Sequence, residues 1–65
     1  MNKNFQTFWV YMRVTSDKGS VTKTQHLVYD ADKFFETRRS EAAKIGAEKG
    51  SVMKVEQITH AQFKA

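Results

Sequence analysis

The chain has 65 residues, no cysteine, and eleven lysines and arginines against seven acidic residues, which gives a formal net charge of +4. A chain of this length forms a single domain, 1–65, that buries only about 60% of the surface of its unfolded state. The absence of cysteine excludes disulfides and thiolate metal sites. No apolar stretch approaches the roughly 20 residues of a membrane span. Because the N-terminus also lacks a signal peptide, we expect a cytoplasmic protein.

The positive charge is unevenly distributed. Residues 30–49 hold five acids and five bases and are neutral, whereas the rest of the chain holds six bases and two acids. A basic surface is typical of proteins that bind nucleic acid or an acidic protein, and it also serves solubility alone.

Residues 5–15 are rich in aromatic and β-branched side chains, which predicts a long first strand. The stretch "SDKGS" follows, with glycine at the third loop position, where a type I turn with a bulge requires a positive φ. Residues 21–29 then form the returning strand of a hairpin. A three-residue loop places Leu27 beside Trp9, and a two-residue loop places Val28 there. The sequence leaves both registers open.

Residues 30–50 are predicted to form a helix. Asp30 or Asp32 can cap its N-terminus, and Gly50 stands just past its C-terminus. A rotation of 100° per residue brings six small or apolar residues onto one stripe: Ala31, Phe34, Phe35, Ala42, Ile45 and Gly46. Arg38 falls inside this stripe. Either its stem packs while the guanidinium reaches the edge, or it is a buried arginine that awaits a partner's carboxylate.

Residues 51–59 are predicted to form the third strand, with Met53 and Val55 on one face and Lys54 and Glu56 on the other. The tail "HAQFKA" extends this strand or frays. A right-handed crossover returns the chain to the sheet beside the first strand. We therefore predict an α+β fold, β-β-α-β, with a three-stranded antiparallel sheet in the order 2-1-3. One helix packs on one face, across Phe8, Val10, Met12 and Val14.

The opposite face of the predicted sheet is the candidate site. Strand alternation places Trp9, Tyr11 and Arg13 there, and one helix covers only one face of a sheet. Tryptophan, tyrosine and arginine are the residue types enriched at binding hot spots. The predicted partner-binding residues are Trp9, Tyr11, Arg13, Lys23, Lys54 and Glu56.

Three different occupants of this face are compatible with the sequence. The tails that carry Phe5 and Phe63 fold over it as a second small core, or a second copy covers it in a symmetric dimer, or a different macromolecule binds it. We expect a monomer or weak homodimer whose partner is a protein complex, with nucleic acid as the alternative partner and no membrane association.

Catalytic and metal-binding patterns are not found. His26 and His60 fall on different elements, whereas a metal site needs at least three convergent ligands. Asp30 and Asp32 precede a helix and serve as caps. We therefore expect no enzymatic activity, no metal and no cofactor.

Three short strings resemble a known family. The "FW" that opens the first strand, the "VYDAD" before the helix, and the glycine followed by a valine-bearing last strand are similar to the small gene-two inhibitors of bacterial RNA polymerase made by podoviruses. The resemblance extends from residue 8 to residue 55. It implies a non-enzymatic β-β-α-β domain that docks on the polymerase β′ jaw and, with the sigma factor, blocks the downstream DNA channel.

The residues that this family uses are partly present. The family contacts the jaw through alternating arginines on its last strand; Lys54 matches the first, and Glu56 stands at the place of the second. Arg13 stands where the family carries an acid, and this chain is basic whereas the family is acidic. The resemblance predicts a phage-type protein for host takeover that acts in the host cell cytoplasm. Its partner is then a host protein complex, an RNA polymerase-like macromolecular machine, which it inhibits or redirects through the open sheet face.

The alternative hypothesis is a single-stranded nucleic-acid-binding domain that uses the same face. Aromatic side chains two residues apart on an exposed antiparallel sheet stack on bases in several small folds. Trp9 and Tyr11 would stack in this way, with Arg13, Lys23 and Lys54 on phosphates.

Overall fold

The structure is a computed structural model that describes residues 6–65. Strands β1 (Phe8–Ser16), β2 (Val21–Val28) and β3 (Met53–Ile58) form one antiparallel sheet in the order β2-β1-β3. Helix α1 (Ala31–Lys49) connects β2 to β3, and a short helix α2 (His60–Lys64) follows β3. The predicted α+β class and strand order are confirmed. Phe5, which the sequence placed in the first strand, lies outside the described residues.

A three-residue loop joins β1 to β2 and sets their register. The N–H of Ser16 donates to the carbonyl of Ser20 over 2.9 Å, and the N–H of Gly19 donates to the carbonyl of Ser16 over 3.1 Å. Gly19 has a φ of 93°, which residues other than glycine adopt only with strain. Trp9 therefore lies opposite Leu27. The two-residue loop, which places Val28 there, is wrong.

Helix α1 begins and ends as the sequence predicted. The carboxylate of Asp30 accepts a hydrogen bond from the N–H of Lys33 over 3.0 Å, and the N–H of Gly50 donates to the carbonyl of Gly46. Gly46 is buried, and a Cβ at this position would overlap the carbonyl oxygen of Ser51. The missing side chain lets the backbone after the helix pass close to the last turn on its way into β3.

The core lies between α1 and the face of the sheet that carries Val10, Met12 and Val55. Phe35, only 3% exposed, and Ala42 fill it from the helix. The predicted helix-covered face of β1 is thus correct at its centre. Phe8, at the end of this face opposite Val28, is wrong as a core residue because it remains exposed.

The predicted apolar stripe of α1 is too wide on one flank. The helix lies closest to β3, so the flank that carries Phe34, Arg38 and Ile45 is turned toward β2 and is less covered. Ile45 is exposed, contrary to the prediction. The guanidinium of Arg38 lies 5.0 Å from the centre of the Phe34 ring and pairs with Glu41 over 3.0 Å. Arg38 therefore packs along the helix and is not a buried, unpartnered arginine.

Candidate partner-binding face

The face of the sheet opposite α1, called the open face below, carries Trp9, Tyr11 and Arg13 of β1 as predicted. Their cross-strand neighbours follow from the register. On β2 these are Leu27, Gln25 and Lys23. On β3, Ile58 lies beside Tyr11, and Glu56 lies beside Arg13.

Helix α2 covers the middle of the open face, which overturns the expectation that no element is left to cover it. Tyr11 lies under this helix, with its ring centre 5.1 Å from that of Phe63 and 5.1 Å from that of His60. Ile58, beside Tyr11, is buried. Tyr11, Ile58 and Phe63 therefore form a second small core, as in the first of the three alternatives for this face; the part of that alternative that involves Phe5 lies outside the described residues.

A reciprocal cap stabilises α2, so the tail neither extends β3 nor frays. The N–H of Thr59 donates to Oε1 of Gln62 over 2.9 Å, and the N–H of Gln62 donates to Oγ1 of Thr59 over 3.1 Å. The pattern Thr-x-x-Gln is the sequence signature of such a capping box. Thr59 and Gln62 therefore carried a sequence signal for this helix, whereas a five-residue segment is too short to show helical periodicity.

Lys23 is drawn toward α2. Its Nζ donates to the main-chain oxygens of Gln62 and Ala65, each over 3.1 Å. A lysine that already serves as donor to the end of a helix is a poorer contact for a phosphate than the sequence predicted.

Beyond α2, toward the hairpin loop, lies a charged strip formed by Arg13, Glu56 and Lys54. Nε of Arg13 donates to Oε1 of Glu56 over 2.9 Å, and Nζ of Lys54 lies 4.0 Å from the second oxygen of the same carboxylate. The Arg13 and Glu56 side chains are about equally exposed, and the Lys54 side chain is 73% exposed. The charge of Arg13 is therefore compensated within the sheet, and Lys54 presents its charge to solvent.

On the other side of Tyr11 lies an apolar patch formed by Trp9 and Leu27. These two side chains are direct cross-strand neighbours, and they are 52% and 54% exposed. Side chains directly opposite each other in an antiparallel pair have Cβ atoms about 5 Å apart, so they present one continuous surface. Leu27 was not among the predicted site residues, because its position depended on the hairpin register that the sequence left open.

The six predicted site residues therefore do not form one surface. Helix α2 covers Tyr11, and Lys23 donates hydrogen bonds to the end of this helix. Trp9 lies on one side of this helix, and the charged strip lies on the other. Within residues 6–65, the apolar patch is a part of the open face where two adjacent large apolar side chains are about half exposed.

On the helix side of the sheet, His26 has an environment that makes folding sensitive to pH. Its ring centre lies 4.8 Å from that of Phe34, and its Nε2 lies 2.8 Å from Oγ1 of Thr24. Burial lowers the pKa of His26, and the nearby charge of Arg38 lowers this pKa further. The unfolded chain therefore takes up a proton more readily than the folded chain, so stability falls as the pH is lowered through the unfolded pKa of about 6.5.

We expect the melting temperature to fall as the pH is lowered from about 7.5 to about 5.5, and to fall less in His26→Gln, because this variant has no ring to protonate. Thermal melts followed by circular dichroism check both slopes. The pKa of Asp17 is lowered by a hydrogen bond from the hydroxyl of Ser51. The protonation of this carboxylate therefore lies below the pH range of the experiment and does not contribute to the slope. An equal loss of stability in parent and variant would contradict the assignment to His26.

Residues 6–65 contain no group of three or more histidine, aspartate or glutamate side chains placed to hold a metal ion. No helix in the described part of the chain is long and apolar enough to cross a membrane. Comparison with known proteins gave no matching family model and no significantly similar curated protein or solved structure.

Proposed function

We propose that this chain is a small non-enzymatic binding protein that recognises another protein through the apolar patch of the open face. The observation that carries the proposal is the exposure of Trp9 and Leu27 as direct neighbours on a sheet whose other face is already packed by α1. Tryptophan is among the residue types enriched at protein-binding hot spots, and Leu27 extends the apolar surface beside it.

The neighbouring charges favour a protein partner over a single nucleic-acid strand. Base stacking needs an accessible aromatic face, and Tyr11 packs against His60 and Phe63 instead. Of the three predicted phosphate contacts, Arg13 is paired with Glu56 and Lys23 is bonded to α2. Among these three side chains, Lys54 is the one that presents its charge to solvent.

The proposed target class is a host macromolecular machine, with bacterial RNA polymerase as the specific candidate and inhibition of transcription as the effect. This part of the proposal rests on the resemblance of residues 8–55 to the podovirus inhibitors. In the proposed mechanism the apolar patch provides most of the binding free energy, while Lys54 meets an acidic group at the rim of the interface.

The proposal is tested by binding of the purified chain to purified bacterial RNA polymerase, free of nucleic acid, in parallel with a single-stranded oligonucleotide of mixed sequence. We expect binding to the polymerase with a weak salt dependence and inhibition of promoter-directed transcription. Binding to three phosphates of a single strand would instead give a slope of log affinity against log salt of about −2.

The matched variants for this experiment are Lys54→Glu and Lys18→Glu. They make the same charge change, but Lys54 lies in the charged strip and Lys18 lies in the hairpin loop. We expect Lys54→Glu to weaken binding more than Lys18→Glu does. No binding to the polymerase would refute this target, and tight, steeply salt-dependent binding to the oligonucleotide would refute a protein partner.

A further inference from the structure

The main-chain groups along the outer edge of β2, on the side away from β1, belong neither to the apolar patch nor to the charged strip. Pairs in an antiparallel ladder alternate between hydrogen-bonded and non-hydrogen-bonded. The bond between Ser16 and Ser20 sets the phase, so Thr22, Thr24 and His26 direct their main-chain groups toward β1. The intervening residues direct their N–H and C=O groups away from the sheet: Val21, Lys23, Gln25 and Leu27.

The two edges of the sheet differ in how they are covered. On β3, the guanidinium of Arg39 donates to the carbonyl of Val55 over 3.4 Å, and α1 lies close along this strand. On β2, the helix leaves a groove lined by Val28, Phe34 and Arg38, among others. Within residues 6–65 no side chain bonds to the outward main-chain groups of β2. A long, uncovered edge strand is a template for pairing with another strand.

The usual protection of such an edge is a lysine that projects from it. Lys23 carries the one charge between residues 21 and 28. Its Nζ is held over the open face by the main-chain oxygens of Gln62 and Ala65. The edge is therefore left without a charge directed outward.

We propose that β2 pairs antiparallel with β2 of a second copy of this chain, with Thr24 opposite Thr24 of that copy, to form a continuous six-stranded sheet. In this register Val21 lies opposite Leu27 of the second copy, and the same contact occurs twice because the pair is symmetric. Both side chains are on the open face, and Val21, like Leu27, is more than half exposed, at 55%. Thr22 then lies opposite His26, and Lys23 lies opposite Gln25.

This register is preferred over its neighbours by side-chain complementarity. Outward-directed residues must lie opposite outward-directed residues, so the strands can shift only in steps that keep this match. The register with Gln25 opposite Gln25 of the second copy places the charged Lys23 opposite the apolar Leu27. Lys23 opposite Lys23 places like charges face to face, which destabilises a cross-strand pair. Only Thr24 opposite Thr24 brings the two exposed apolar residues of β2 together.

The dimer is weak, because one added strand pair buries less than the roughly 1,200 Å² of a standard interface. Its two-fold axis is perpendicular to the sheet, so both apolar patches lie on the same side. In the dimer Val21 of the second copy lies beside Leu27 and so adjoins the apolar patch, while Trp9 lies on the other side of Leu27, away from the second copy.

Single-cysteine variants test the register directly, because the natural chain has no cysteine. In Thr24→Cys the two sulfurs of a dimer face each other in a non-hydrogen-bonded pair, where Cβ atoms are close enough for a disulfide. We expect Thr24→Cys to form a disulfide-linked dimer under mild oxidation about tenfold faster than the matched variant Gln25→Cys, whose sulfurs are offset along the strands. Sedimentation of the unmodified chain should show a concentration-dependent monomer–dimer equilibrium.

A second variant pair keeps the test independent of disulfide chemistry. We expect Leu27→Lys to weaken self-association about tenfold, because it removes two apolar cross-strand contacts. Val21→Glu added to Leu27→Lys should restore association, since each new glutamate then lies opposite a new lysine. A monomer at every accessible concentration, equal cross-linking through residues 24 and 25, or no rescue by the double variant would overturn the proposal.

Discussion

Phe35→Ala is expected to lose about 3–5 kcal/mol of folding free energy. Phe35 is the largest side chain in the core and packs against Val10, Met12, Ala42 and Val55. Domains gain roughly 0.05–0.15 kcal/mol of stability per residue, so a chain this short has little more than the variant removes. Thermal melts followed by circular dichroism should show a midpoint lowered by about 15 °C or more, or no cooperative transition.

Ile45→Ala is the matched control for this variant, because it truncates an apolar side chain on the same helix. Ile45 is exposed, so we expect its loss to cost less than about 1 kcal/mol. The sequence placed both residues on the buried stripe, and the two melts therefore also measure how wide that stripe is. Similar midpoints for Phe35→Ala and the parent would refute the packing of α1 on the sheet.

Trp9→Ala is expected to weaken binding to the proposed partner by at least about 2 kcal/mol, or some 30-fold, while the melting temperature changes little. Half of the Trp9 side chain is already in solvent, so truncation removes less core contact than at Phe35. Binding assays and melts on the same preparation check both halves of the prediction. Val52→Ala, another exposed apolar position away from the patch, should leave both unchanged.

Tyr11→Ala tests whether Tyr11 belongs to the part of the open face that α2 covers. The sequence placed Tyr11 among the partner-binding residues of the open face. The contacts of Tyr11 with His60 and Phe63 now predict a loss of stability of about 1–3 kcal/mol. Loss of binding by Tyr11→Ala with an unchanged melting temperature would show that α2 does not pack on Tyr11.

Local patterns predicted most of the fold. Alternation along β1 separated Val10 and Met12 from Trp9 and Tyr11, and this separation is what the sheet and α1 require. Asp30 and Gly50 marked the ends of α1 because each satisfies main-chain groups that a helix leaves unpaired. The predicted strand order put the most apolar strand, β1, at the centre of the sheet, with a right-handed crossover through the helix that returns β3 parallel to β2.

Features that depend on contacts between distant residues were harder to predict. The pairing of Arg13 with Glu56 depends on the register of β1 against β3, for which neither strand carries a signal. Helix α2 is too short to be stable alone. Its packing on Tyr11 provides the stabilisation that so few helical hydrogen bonds cannot. The exposure of Ile45 depends on where α1 lies across the sheet. The periodicity of apolar residues along the helix carries no information about that position.

The central claim is that Trp9 is the contact residue of a protein-binding patch, and fluorine NMR of the chain labelled with 5-fluorotryptophan tests it most directly. Trp9 is the single tryptophan of the chain, so one resonance reports this side chain alone. On titration with unlabelled, nucleic-acid-free RNA polymerase, we expect the resonance to change position as well as to broaden, and its shift between H2O and D2O to fall, because the indole leaves the solvent. An oligonucleotide at the same concentration should leave it unchanged. A resonance that broadens in the complex but keeps its position and its full shift between H2O and D2O would contradict the account.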